Sequence, residues 1–334
     1  MSGNTFGAVF RLTTFGGSHD AETGGVIEGC PAGLAIDPDF VRGELQRRKP
    51  DYLGSTQRKE TDIVEFLSGI DRGLTNGNQI KFIIPNTDIK SSDYEDVFEV
   101  FRPSHADYSY FIKYGKTETG GGRASGRETA ARVAGGAIAK IFLKNLGIEI
   151  AGSVESIGGH PYDPEKSARL IMEAQKAGDT LGGTVACRIR GVPAGLGEPV
   201  FDKLQAGLAN AMLSIGSAKA FEYGLGFEAS KMKGSEYNDR MSAKEGKVTF
   251  LTNHDGGIQG GISNGEEIYF RVGFKPVPSV HIPQQTVNYK LEPVEVTIGG
   301  RHDVCHVPRL VVVVEAMAAL VLADHWLRTG KCFA

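Results

Sequence analysis

Gly29-Cys30-Pro31-Ala32-Gly33-Leu34 returns in the second half of the chain as Gly191-Val192-Pro193-Ala194-Gly195-Leu196. Each copy follows a strand-like run (25–28 and 184–190) and precedes a helix-like one (38–47 and 200–213), with Asp37 suited to cap the first helix. The repeating unit is therefore strand, Pro-Gly turn, helix.

A second pair of stretches echoes in the same order: Thr75-Asn76-Gly77-Asn78-Gln79-Ile80-Lys81-Phe82, then Ser263-Asn264-Gly265-Glu266-Glu267-Ile268-Tyr269-Phe270. Asn-Gly supplies the positive φ of a tight hairpin turn, and the residues after it alternate as strands do. Two echoes in one order predict an internally duplicated α+β unit, with halves roughly 1–150 and 151–334. No Pro/Ser-rich linker or composition shift divides them, so one domain over 1–334 is expected. Two apolar segments, 129–146 and 315–327, read as long central helices. Gly135-Gly136 in the first costs roughly 1 kcal/mol per Gly against Ala, which predicts close approach by another backbone.

Among 334 residues, 45 are Gly, about twice the usual ~7%. They follow no G-X-Y period, and with 40% hydrophobic residues the chain reads as globular. A net charge of -3 gives no global pull toward nucleic acid or an anionic membrane, so any phosphate binding must be local. Cys30, Cys187, Cys305 and Cys332 have no disulfide or zinc spacing and read as reduced structural thiols. The first residues lack an apolar leader core, and the most apolar tract, 310–323, carries Glu315 and falls short of the ~20 residues of a span. The expectation is a cytoplasmic protein.

Chemistry concentrates in three places. Arg102-Pro103-Ser104-His105-Ala106-Asp107-Tyr108 precedes Gly120-Gly121-Gly122-Arg123-Ala124-Ser125-Gly126-Arg127, where a triple Gly entering a helix lets backbone N–H groups reach an anion. Arg123 and Arg127 share a face if the helix has begun by Arg123. Neither a Walker A loop nor a dinucleotide fingerprint occurs. The second place is Phe15-Gly16-Gly17-Ser18-His19-Asp20, too contiguous for a catalytic relay, in which His19 reads as an acid/base or phosphate ligand. The third is Gly299-Gly300-Arg301-His302-Asp303-Val304-Cys305-His306, read as an Arg-Asp functional pair rather than a metal centre. The basic run Arg47-Arg48-Lys49, with Arg58-Lys59, reads by default as a solvated helix end, but clustered around a cleft it would instead recruit a polyanionic ligand.

Together these segments resemble chorismate synthases over essentially the whole length. The resemblance is carried by Gly3-Asn4-Thr5-Phe6-Gly7 with Thr13-Thr14-Phe15-Gly16, by Arg102-Pro103 with His105 to Tyr108, by Gly121-Gly122-Arg123 with Ser125 and Arg127-Glu128-Thr129, by 191–199, and by Gly300-Arg301-His302-Asp303. It implies a lyase that eliminates phosphate from 5-enolpyruvylshikimate 3-phosphate in a 1,4-anti sense, giving chorismate, the last common step of the shikimate pathway to aromatic amino acids. It also implies a reduced FMN cofactor, a homotetramer, and a β-α-β sandwich of two pseudo-repeated halves with long helices packed between the sheets. NADPH would enter only indirectly, for flavin reduction (the NADP link), and an external flavin reductase is favoured because no dinucleotide fingerprint is present.

The resemblance assigns His19 as general acid near the leaving phosphate, His105 beside the flavin, and Asp303 as the carboxylate that takes the substrate proton. Substrate contacts fall on Ser18, Arg48, Gly126, Arg127 and Arg301. Flavin contacts fall on Arg123, Ala124, Ser125, Gly216, Ser217, Gly260, Lys275, Pro276, Val277, Pro278, Ser279 and Arg301. Histidines with pKa near neutrality are expected to handle the protons.

Two departures stand out: Gly17-Ser18-His19-Asp20, where the family reads Gly-Glu-Ser-His-Gly, and a shorter loop at 51–55. Asp20 would either raise the pKa of His19 or repel the substrate phosphate. Two rival readings are a weakened family member that only binds flavin and phosphoshikimate, and a Gly-rich structural oligomer without ligand.

Overall fold

The structure, a computed structural model, describes residues 2–49, 51–56, 60–87, 99–117, 119–300 and 302–330. The first half contains β1 (Arg11–Phe15), β2 (Glu22–Glu28), α1 (Pro38–Arg48), β3 (Glu65–Phe66), β4 (Ile80–Pro85), α2 (Asp107–Tyr114) and α3 (Thr129–Lys144). The second contains β5 (Glu149–Ile157), α4 (Pro164–Lys176), β6 (Gly183–Arg190), α5 (Leu204–Leu213), β7 (Ala218–Tyr223), β8 (Ile268–Phe274) and α6 (Val307–Arg328). Helices and mainly antiparallel sheets make it an α+β protein.

The two five-stranded sheets share an order. One runs β1-β2-β4-β3 with Thr5–Phe6 beside β1, the other β5-β6-β8-β7 with His160–Pro161 beside β5, and all neighbours are antiparallel. In β8 the residues Ile268, Phe270, Val272 and Phe274 point inward at every second position, the period of a strand buried on one face.

The two sequence echoes prove to be halves of one locked device. In the first copy the Gly33 N–H donates to the Thr75 carbonyl and the Thr75 N–H to the Leu34 carbonyl; the Thr75 hydroxyl takes the Leu34 N–H and donates to the Pro31 carbonyl. In the second copy Gly195, Ser263, Leu196 and Pro193 make the same four bonds. Asn76 and Asn264 each accept, through Oδ1, the N–H two residues on, a local turn that Asn favours. The Asn-Gly turns do not close hairpins between their flanking strands. Leu74–Thr75 pairs with Ile70–Asp71, while β4 pairs with β2 and β3; Gly77 and Gly265 carry φ of +83° and +96° and redirect the chain from one pairing to the other.

α1 begins with Asp37, whose carboxylate accepts the N–H groups of Asp39 and Phe40, a cap worth about 1 kcal/mol. α5 starts at Leu204 and not at 200, because the Leu204 N–H is bonded outward to the Gly261 carbonyl. Cys30, Cys187 and Cys305 are buried free thiols, and Cys332 lies outside the described residues. Helix α6 is long and apolar enough to span a membrane, yet its most apolar window is 83% buried within the protein, which marks it as a core helix.

α3 packs on the first sheet, α6 on the second, and the two helices pack on each other. Gly136 is the point of closest approach. A Cβ there would lie 2.6 Å from Ala316 Cα and 2.8 Å from its carbonyl oxygen, so it meets backbone that cannot rotate away. Gly136→Ala is expected to cost about 1–3 kcal/mol through overpacking, read as a lower urea midpoint. An unchanged midpoint would mean that the helices can part without cost.

Candidate active site

One cleft of about 530 Å³ gathers residues from both halves. Its wall holds Ser18, Arg48, Asp62, His105, Arg123 to Thr129, Gly216, Ser217, Lys275, Val277 to Ser279, His302, Asp303, His306 and Arg309 among others. Eight cationic side chains face five carboxylates there, and that excess suits an anionic ligand.

At one end, arginines organise the loop that carries His19. Arg123 Nη1 donates to the Gly16 carbonyl at 3.0 Å and Nη2 to Thr14 Oγ1 at 2.6 Å. Arg127 Nε donates to Asn86 Oδ1 at 2.6 Å, and the Asn86 amide donates in turn to the carbonyls of Gly17 and Asp20. The loop is thus tied to both arginines. Ser18 Oγ lies 3.0 Å from His19 Nδ1. The Asp20 carboxylate turns back onto its own loop, accepting the Gly17 N–H at 2.6 Å. Ser18 lines the cleft and His19 follows it directly.

Arg123 and Arg127 do not share a helical face. The segment forms two 3-10 turns, Thr119–Ala124 and Gly126–Glu128, and α3 begins only at Thr129. The tight turns send Arg123 toward Gly16 and Arg127 toward Asp62, whose carboxylate also accepts Arg48 Nη2 at 2.6 Å. Arg48 is therefore no solvated helix end: it is 4% exposed. Burial pulls the Arg48 guanidinium down, while Asp62 supports its charge. For Asp62 burial acts to raise the pKa, but Arg48 and Arg127 outweigh it and hold the carboxyl below the usual range.

Asp303 is also engaged. Its Oδ1 accepts the Thr56 N–H at 2.8 Å and its Oδ2 an Arg309 Nη1 proton at 2.8 Å. The short loop at 51–56 creates this setting, since the Val304 N–H also bonds to the Gly54 carbonyl at 2.7 Å.

At the other end, His105 Nδ1 donates to the Pro103 carbonyl at 3.0 Å, which leaves Nε2 to meet Ser279 Oγ at 3.0 Å. Lys275 donates to the Ser104 carbonyl, and Ser217 Oγ lies 2.7 Å from His306 Nε2. Burial, reinforced by Arg102, pushes the His105 pKa down to about 4, and burial does the same to His306. The expectation of a near-neutral His105 is corrected: at pH 7 its imidazole is neutral, with its basic nitrogen on the Ser279 side.

These shifts fix a pH dependence. Between pH 6.5 and 4 the unfolded chain binds protons that the folded one refuses, so stability is full above about 6.5 and falls as pH drops through that window. The His306 contribution is on the order of 2 kcal/mol at pH 5. His306→Gln should therefore show a shallower fall in thermal midpoint from pH 7 to 5; an identical slope would mean that His306 charges freely in the folded protein.

Most of the residues singled out in the sequence meet in this cleft, with four qualifications. His19 itself is not in the wall, although Ser18 beside it is. Gly260 does not line the cleft. Gly261, next to it, binds the first turn of α5 at Leu204, whereas Gly216-Ser217 follow the last turn, and a ten-residue helix separates those ends by about 15 Å. Pro276 is not in the wall, although its neighbours Lys275 and Val277 are. Arg301, like Arg58 and Lys59, lies outside the described residues. Sequence reasoning missed Asp62, Asn86 and Arg309 and gave His306 no role of its own; Asp62 and Asn86 gain meaning only from partners far along the chain.

A family model described as chorismate synthase matches residues 10–327. The chorismate synthase of Christiangramia forsetii is 52% identical, over 98% of this chain and 98% of that protein. That of Bacteroides thetaiotaomicron is 50% identical over 97% and 98%. A solved structure described as a crystal structure of chorismate synthase superposes with a TM-score of 0.77 at 31% identity, covering 97% of this chain and 93% of that one.

Proposed function

Because this chain belongs to the chorismate synthase family, we propose that its basic cleft is where 5-enolpyruvylshikimate 3-phosphate loses phosphate to give chorismate. The reaction is a carbon–oxygen lyase step, a 1,4-anti elimination with no net redox change. The observation that carries this reading is one cleft that joins an excess of cationic side chains to His105 and to Ser18, the neighbour of His19. Near 50% identity over the full length to chorismate synthases disfavours the reading as a weakened binding protein.

The cleft fits a flavin phosphate beside a phosphorylated dicarboxylate. Its cations outnumber its acids, and the buried Nδ1 of His306 has no hydrogen-bond partner among the described residues, an unmet polar atom of the kind a polar ligand satisfies. Arg123, Ala124, Ser125, Gly216, Ser217, Lys275, Val277, Pro278 and Ser279 would hold the FMN, and Pro276 would shape that strand of wall. Reduced FMN, when bound, would lend electron density to the substrate as phosphate leaves and recover it as the C–H bond breaks. Arg48, Arg127, Ser18 and Gly126 bind the substrate, with Arg301 as a further ligand, and guanidiniums match carboxylate and phosphate geometry. His19 delivers a proton to the leaving phosphate. Neutral His105 holds a proton at Nε2 when one is supplied, and Asp303 is the carboxylate that receives the substrate proton.

The finer architecture belongs to the same reading: one domain, a β-α-β sandwich of two copies, supported by the matching strand orders and the repeated Thr75 and Ser263 bonds. The homotetramer, the cytoplasmic location and the supply of reduced flavin by an external reductase, with NADPH acting only there, rest on resemblance. The test of the redox claim is the flavin spectrum through many anaerobic turnovers. Reduced FMN should remain constant while chorismate accumulates, and consumption of one reduced flavin per product would refute a redox-neutral elimination.

A further inference from the structure

Arg48 ends α1, and Arg127 lies in the 3-10 turn before α3. Their side chains are 5% and 7% exposed, and both line the cleft. Two guanidiniums buried at one place repel each other strongly where water is excluded. Asp62 answers this: its side chain is fully buried, Oδ2 takes Arg48 Nη2 at 2.6 Å, and Oδ1 takes Arg127 Nη1. Its backbone adopts φ +50°, a left-handed conformation that few residues other than Gly adopt.

One carboxylate shared between two guanidiniums exhausts neither. Each donates to it through one Nη. Arg127 is further fixed through Nε to Asn86 and Nη2 to the Pro85 carbonyl. The Arg48 Nε–H, by contrast, is buried with no hydrogen-bond partner among the described residues. An unmet buried donor costs about 1–3 kcal/mol, and this one belongs to a cation on the cleft wall.

We propose that Asp62 is the positioning residue of the substrate-anion site: it holds Arg48 and Arg127 as a fixed pair with a net charge of one positive and leaves the Arg48 Nε–H for an anionic substrate oxygen. This rests on the reading that the two arginines bind 5-enolpyruvylshikimate 3-phosphate. Asp62 touches neither substrate nor flavin, and acts only through the guanidiniums.

The experiment is steady-state kinetics on the full chain with saturating reduced FMN, for Asp62→Asn, Arg48→Gln, Arg127→Gln and the Asp62→Asn/Arg48→Gln double variant. FMN affinity by fluorescence and inhibition by inorganic phosphate are measured alongside. Asp62→Asn should raise the substrate KM and the phosphate inhibition constant at least tenfold, leave kcat within threefold and leave FMN affinity unchanged. A carboxylate that merely supports the fold would lower kcat with the fraction of active protein and leave KM alone. The double variant should be no worse in KM than the worse single one, because the pair acts as a unit. An unchanged or lower KM in Asp62→Asn, or full additivity in the double, overturns the proposal. Should Asp62→Asn not accumulate in soluble form, Asp62→Glu carries the test: it keeps the charge but shifts both guanidiniums by a methylene, so KM should rise severalfold, and an unchanged KM overturns the proposal. If Arg48→Gln and Arg127→Gln leave KM intact, the substrate reading of the arginines fails and the proposal with it; if they raise KM while Asp62→Asn does not, the proposal alone fails.

Discussion

His105→Ala should lower kcat by on the order of 10²- to 10³-fold while the substrate KM stays within about threefold. The imidazole is fixed from both sides, by the Pro103 carbonyl at Nδ1 and by Ser279 at Nε2, each at 3.0 Å. That tautomer aims the single basic nitrogen at the wall made by Val277 to Ser279, where the flavin is proposed to lie. Alanine removes the proton acceptor and leaves the arginine end untouched, which is why turnover and affinity separate. Because the imidazole is already neutral at pH 7, with its pKa pushed down to about 4 chiefly by burial, the wild-type profile should show no loss from His105 between pH 8 and 6. A loss that appears mainly in KM would assign His105 to binding and contradict the proton role.

Glu315→Ala should destabilise the fold by about 3–5 kcal/mol, the penalty for breaking a buried ion pair and stranding its partner. Glu315 sits in α6 at 2% exposure. It accepts two guanidinium protons from Arg47 at 2.6 and 2.7 Å, the Lys140 ammonium at 2.5 Å, and the Gly152 N–H at 2.7 Å. Burial alone would raise its pKa, but Arg47 and Lys140 outweigh that and hold it below the usual range. The carboxylate thus joins α1, α3, β5 and α6, elements from both halves. Chemical denaturation monitored by circular dichroism gives the value; a loss under 1 kcal/mol would mean that Glu44, which also bonds Lys140 and Arg47, carries the network alone.

Much of the architecture was legible because the two copies repeat local chemistry. Pro-Ala-Gly turns and Asn-Gly steps are written in adjacent residues, and so are the cap at Asp37 and the helix that Gly136 lets approach α6. What adjacency cannot encode is which turn meets which. Thr75 and Ser263 look like ordinary strand residues until each bonds a Pro-Gly turn from a separate segment. The site divides in the same way. The arginines and histidines stand in dense motifs, but the carboxylate that disciplines two of those arginines is an isolated Asp62. The state of His105 depended chiefly on burial, which no motif reports, although the motif did contain the Arg102 that reinforces it. Arg123 and Arg127 misled for a related reason: their spacing suits a helix, while the glycines before them permit the tighter 3-10 turns that separate their side chains.

The most direct test of the central claim is an anaerobic reaction of the purified full chain with reduced FMN and 5-enolpyruvylshikimate 3-phosphate, following chorismate absorbance and phosphate release together. The two products should appear in equal amounts, only when reduced flavin is present, and over many turnovers. Substrate and flavin binding without either product, or phosphate release without chorismate, would contradict it.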